Sequence, residues 1–219
     1  MKVIFKIFII SIFLSGVFNF PCVFAKTFKK DLFTAVGDGD VSAVKSLIRS
    51  EADLNIRDTT GRTLLMIAVW SGQANMIQYL IEKGADVNAK KDNGTTALML
   101  ATRSCHVNAV KYLLSKGADV NAQASSGMTA LMYAAEKGYV FVSEVLIEEN
   151  ADVNLKDNKG RTALMFAAIS GDSDIIDDLI KKGADVNFKD TYGNTALTLA
   201  IKNKHLKAAK TLKALGAKE

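Results

Sequence analysis

Apolar positions recur along this 219-residue chain at a fixed spacing of 33. Leu65, Leu98, Leu131, Leu164 and Leu197 are each followed three residues later by an alanine: Ala68, Ala101, Ala134, Ala167 and Ala200. Residues three apart share one helical face, and a small alanine there lets a neighbouring element come close. A second apolar rhythm follows in each frame, with the 3.6-residue spacing of another helix. It reads Met76, Ile77, Leu80 and Ile81 in one frame and Ile175, Ile176, Leu179 and Ile180 in another. A period of this length predicts stacked two-helix units rather than a single globular core.

Glycine and threonine punctuate the same frame. Gly61, Gly94, Gly127, Gly160 and Gly193 each precede by two residues a threonine: Thr63, Thr96, Thr129, Thr162 or Thr195. The glycine suits a tight turn with positive φ, and the threonine hydroxyl suits a helix N-cap. The first helix is expected to end near Gly72, Gly138 or Gly171, and the second near Gly84, Gly117 or Gly183. Cys105 replaces the first kind of glycine in its frame, at a cost of about 1 kcal/mol for a left-handed conformation. Glu51 and Asn150 replace the second kind, and asparagine tolerates that conformation better than glutamate. Five Ala-Asp-Val/Leu-Asn runs, from Ala52, Ala85, Ala118, Ala151 and Ala184, then lead out as a protruding loop or hairpin.

The D-x-x-G-x-T pattern at Asp58-Thr59-Thr60-Gly61-Arg62-Thr63 returns from Asp157 and Asp190. The G-A-D-V-N run stands at residues 84–88, 117–121 and 183–187. Over residues 28–219 the chain resembles the ankyrin repeat family, of a bacterial, exported type. The resemblance implies an all-α solenoid of stacked helix–turn–helix units with protruding β-hairpin-like loops. In that frame residues 26–60 form a degenerate N-terminal capping repeat. Repeats at 61–93, 94–126, 127–159 and 160–192 precede a C-terminal capping repeat at 193–219. The family's Thr-Pro-Leu-His is replaced by Thr-Ala-Leu-Met at 96–99, 129–132 and 162–165, and by Thr-Leu-Leu-Met at 63–66. That loses a preorganised first helical position, while alanine remains the best helix former.

The N-terminus follows a different logic. Lys2 and Lys6 precede an almost wholly apolar Ile7–Phe20, and Val23-Phe24-Ala25 fits a small-residue cleavage site. This is the pattern of a signal peptide over residues 1–25, cut before Lys26. Export to a periplasm or beyond the cell is therefore expected, with a membrane-anchored chain as the alternative if the segment stays uncut. Cleavage would leave Cys105 as the one cysteine, so no internal disulfide is expected and a half-buried structural thiol is the plain reading.

Charge changes the picture little. The formal net charge is +5, and lysines gather only at 202, 204, 207, 210 and 213, with an acidic cluster at Asp172, Asp174, Asp177 and Asp178. Both read as solvated outer faces, and docking of the lysines on an anionic surface such as lipid headgroups is the rival reading. No nucleic-acid partner is expected without stronger basic clustering. Cys105-His106 is too small a set to close a zinc site, and Asp53, Asp86, Asp119, Asp152 and Asp185 read as turn-bonding residues rather than calcium ligands. No phosphate-binding glycine motif occurs. Neither a catalytic group, a cofactor, a metal nor a small-molecule substrate is expected.

What remains is binding. By register with the resembled family, loop tips and the exposed end of each first helix line the concave face and are free to recognise a partner protein. The tips offer Arg57, Thr59, Arg62, Lys90, Asp92, Asn93, Met128, Lys156, Asn158, Arg161 and Tyr192; the helix positions add Trp70, Arg103, Glu136 and Lys137. Trp70, Arg103 and Tyr192 head this set, since aromatic and arginine side chains dominate binding energies. The expectation is a monomeric, non-catalytic protein-interaction module.

Overall fold

The computed structural model describes residues 31–48 and 54–218. The expected signal peptide, Glu51 and Asp53 lie outside the described residues. Within them the chain is all α, with twelve α-helices. Helix α1 occupies residues 31–38 and α2 Val41–Leu47. Five further pairs follow: α3 Leu64–Trp70 with α4 Ala74–Glu82, α5 Ala97–Arg103 with α6 Val107–Ser115, and α7 Ala130–Lys137 with α8 Val140–Glu148. The last two are α9 Ala163–Ser170 with α10 Ser173–Lys181 and α11 Ala196–Lys202 with α12 Leu206–Ala214.

Local chemistry sets each first helix. Thr63, Thr96, Thr129 and Thr195 accept at the hydroxyl from the backbone N–H three residues on, at 3.2–3.3 Å. Thr162 has the same extended backbone but makes no side-chain cap bond. At the other end the chain turns left-handed at Gly72, Cys105, Gly138, Gly171 and Lys204. There the next N–H bonds back to the repeated alanine: Gln73 to Ala68, His106 to Ala101, Tyr139 to Ala134, Asp172 to Ala167 and His205 to Ala200, at 2.9–3.1 Å. These alanines are fully buried, so each joins close packing to helix termination. Cys105, with φ 54°, pays the expected backbone strain, as does Lys204 with φ 62°.

The first helices pack in one row, α3, α5, α7, α9 and α11, and the second helices α6, α8, α10 and α12 in another. One hydrophobic core runs from Leu32 to Leu212 between the rows. Among the described residues the loops carry hairpin character as single antiparallel bridges, Arg57 with Thr63 and Lys90 with Thr96.

Asparagines of the Ala-Asp-Val/Leu-Asn runs join one loop to the next. Asn55, Asn88, Asn121, Asn154 and Asn187 accept at Oδ1 from the N–H of Asp86, Asp119, Asp152, Asp185 and Lys218, at 2.7–3.1 Å. The aspartates in turn accept from the asparagine N–H two residues later, at 2.8–2.9 Å for Asp86, Asp119, Asp152 and Asp185. Their carboxylates are thus engaged by turn backbone.

Candidate functional site

The candidate face consists of the loop tips and the C-terminal ends of the first helices. The tips form a row in which backbone bonds pass from one to the next. Ser125 N–H donates to Asn93 C=O at 2.9 Å, Asn158 N–H to Ser126 C=O at 3.0 Å, and Thr191 N–H to Lys159 C=O at 2.9 Å. The side chains on this row therefore stand on a braced base.

Three aspartates fold the tips. Asp58 accepts from the N–H of Thr60 and Arg62, Asp157 from those of Lys159 and Arg161, and Asp190 from those of Tyr192 and Asn194, all at 2.8–2.9 Å. Burial pushes the Asp58 carboxyl up, but bonds from the Arg62 backbone, the Thr60 hydroxyl, the Arg62 guanidinium and the Thr60 backbone outweigh it and bring the pKa to about 2. For Asp190 burial again acts upward, and the Asn194 side chain and backbone, the Tyr192 backbone and the Lys202 charge lower it overall.

This folding removes several candidates from simple availability. Arg62 Nε bonds Asp58 at 2.8 Å, and Arg161 Nε bonds Asp157 at 2.8 Å while its guanidinium lies over the Phe166 ring. Arg57 donates to the carbonyls of Gly61 and Lys90, at 3.1 and 2.5 Å. Gln123 makes the equivalent pair of bonds, to Gly127 and Lys156, which marks that position as a link between adjacent loops. The expectation for Met128 is corrected: it is 7% exposed. Its carbonyl closes the turn by accepting from Ala124 N–H, as those of Arg62 and Arg161 do in their tips, but its apolar side chain packs into the hydrophobic core instead of facing solvent.

The remaining candidates are exposed: Lys90, Arg103, Lys137 and Lys156, with Trp70 at 53% and Tyr192 at 74%. Thr59, Asp92, Asn93, Glu136 and Asn158 are exposed as well. Trp70 and Arg103 end the neighbouring helices α3 and α5, so packing brings them side by side in register. Tyr192 stands far along the row, in the tip that precedes α11, and does not join them. Lys156 lies over the Phe188 ring, 3.6 Å from its centroid, which ties it to the next loop.

Tyr133 was not among the sequence candidates. The Arg103 guanidinium lies 5.4 Å from the centroid of its ring, linking α5 to α7 on the face that Trp70 begins. Its register gave no signal, because Ile67, Leu100 and Phe166 at the same position are buried core. Phe141, 74% exposed near the start of α8, was missed as well. Cys105 corrects another expectation, for its thiol is exposed and not half-buried. It lines, with His106, Gly72, Ile77 and Tyr112, an open groove of about 570 Å³ between α4 and α6. Among the described residues no three His, Cys, Asp or Glu side chains are placed to hold a metal ion.

A family model for ankyrin repeats matches the chain in three overlapping copies, over residues 32–124, 91–157 and 131–218. The chain belongs to the ankyrin repeat family. No curated protein matches it. Ankyrin repeats are protein-interaction modules as a class.

Proposed function

We propose that this ankyrin repeat protein is a non-catalytic module that binds a partner protein through the face formed by Trp70, Arg103 and the loop tips. The observation that carries the reading is the pairing of an exposed tryptophan with an arginine held over Tyr133, on helices whose cores need neither side chain in that place. Such rigid aromatic and guanidinium groups are the commonest anchors of protein interfaces. Lys137, at the end of α7, and Lys90, on the tip between α4 and α5, would form the polar rim. Tyr192 would engage a partner long enough to span the row. We take the module to act as a monomer, exported to the periplasm or beyond it by the apolar segment at residues 1–25.

The test is a cross-linked pull-down from the native cell with C-terminally tagged chain. Trp70→Ala/Arg103→Ala is run beside the parent, after circular dichroism confirms equal helix content. A partner captured by the parent and lost from the double variant is expected. Equal capture by both would remove this face from the proposal.

A further inference from the structure

The last helix pair carries a second surface of different chemistry. Residues 195–218 contain six lysines, at 202, 204, 207, 210, 213 and 218, and neither aspartate nor glutamate. All six are exposed. On α12 the buried side is Ala208, Ala209 and Leu212. At 100° per residue Lys207 and Lys210 stand on the opposite side, and Leu206 and Lys213 flank it next to Ala209. Lys204, Lys207 and Lys210 make no ion pair among the described residues, whereas the Lys202 ammonium bonds Asn194 Oδ1.

Apolar side chains stand among these charges. Leu206 is 77% exposed, Ile201 46% and Leu215 41%. The counterparts of Ile201 in earlier frames, Val69, Thr102, Ala135 and Ala168, are fully buried. The segment 195–218 holds no arginine and no Phe, Tyr or Trp. Unstacked bases are held on aromatic platforms, which this segment lacks, and the protruding apolar side chains have no role on a phosphate backbone. Lysines interleaved with protruding leucine and isoleucine suit a surface that is anionic outside and hydrocarbon just beneath. We propose that this face docks on an anionic phospholipid bilayer, with Lys204, Lys207 and Lys210 on the headgroup phosphates and Leu206 and Ile201 at the acyl boundary.

The apolar stretch at residues 3–20 would bring a full-length chain to any bilayer, so bulk sedimentation cannot test this face. Local amide hydrogen exchange over residues 196–215 can. The full chain is titrated with phosphatidylcholine vesicles, with vesicles containing phosphatidylglycerol, and with duplex DNA. Exchange in this segment is expected to slow with the anionic vesicles alone, and the effect to weaken as salt rises. Each lysine near an anionic surface contributes about fivefold to partitioning, so Lys204→Gln/Lys207→Gln/Lys210→Gln should lower it about a hundredfold. Leu206→Ser, which leaves every charge in place, should lower it about tenfold. Equal slowing by both vesicles, no slowing, or slowing retained in both variants overturns the proposal. Slowing by DNA without slowing by vesicles overturns it in favour of a nucleic-acid surface.

Discussion

The His205 imidazole lies against Gly171, one frame earlier, so closely that a Cβ built on Gly171 would stand 2.6 Å from His205 Cγ. His106 and Gly72 repeat the relationship, with 2.6 Å to His106 Cε1. At Gln73, His106 and His205 the residue that opens the second helix thus packs closely on the helix-ending glycine of the frame before it. Relieving a contact at Cγ takes a change of χ1 for the whole imidazole and not a shift of its far edge.

Gly171→Ala therefore meets two costs. Its φ of +82° strains any side chain by about 1–2 kcal/mol, and the clash adds about 1–3 kcal/mol of overpacking. Gly183, with φ +89° and nothing within 4 Å of a built Cβ, meets only the first. Urea denaturation should show Gly171→Ala the more destabilised, with His205→Ala recovering much of the difference. Equal losses at the two glycines would show that His205 yields without cost.

Asn154 accepts from Asp185 N–H at 2.9 Å and donates to Gly183 C=O at 3.0 Å, bridging two frames through one side chain. Each bond contributes about 0.5–1.5 kcal/mol, so Asn154→Ala should cost about 1–3 kcal/mol. Hydrogen exchange at the Asp185 amide should quicken beyond the global change. A uniform change would mean the bridge has no local role.

Cys105 is exposed and left-handed, so its side chain gains no burial for the strain it bears. Cys105→Gly is expected to raise stability by about 1 kcal/mol, and Cys105→Ser to leave it near the parent. Thermal melts under reducing conditions separate the two. A glycine variant no more stable than the serine one would place no strain at this turn.

Acid should loosen the loop tips. The Asp58 pKa of about 2 lies below the ordinary 3.8, so the native state favours the carboxylate, and Asp190 is lowered as well. The stabilisation is full above the unfolded-state pKa and is lost as pH falls from about 4 toward 2. Urea midpoints at pH 7 and pH 3 should differ less in Asp58→Asn than in the parent. An identical pH dependence in the two proteins would remove Asp58 from the acid response.

Much of the fold was legible because its signals are local. The Thr63, Thr96, Thr129 and Thr195 caps and the turn aspartates Asp86, Asp119, Asp152 and Asp185 act on groups two or three residues from themselves, so their spacing alone revealed their roles. The candidate face was legible only as register. Arg57 and Met128 occupy loop positions that read as exposed tips, yet one spends its guanidinium on the next loop and the other turns into the core.

By itself the sequence determined the period, the two helices per frame and where each starts and stops, since backbone conformation answers to nearby residues. Only the tertiary structure decided which polar groups are left over for recognition. That depends on partners 30 to 33 residues away, such as Lys90 for Arg57, Asp185 for Asn154, and the ring of Tyr133 for Arg103. Frame-to-frame contact, and not the chemistry of one side chain, separates the residues that hold the stack from those it presents.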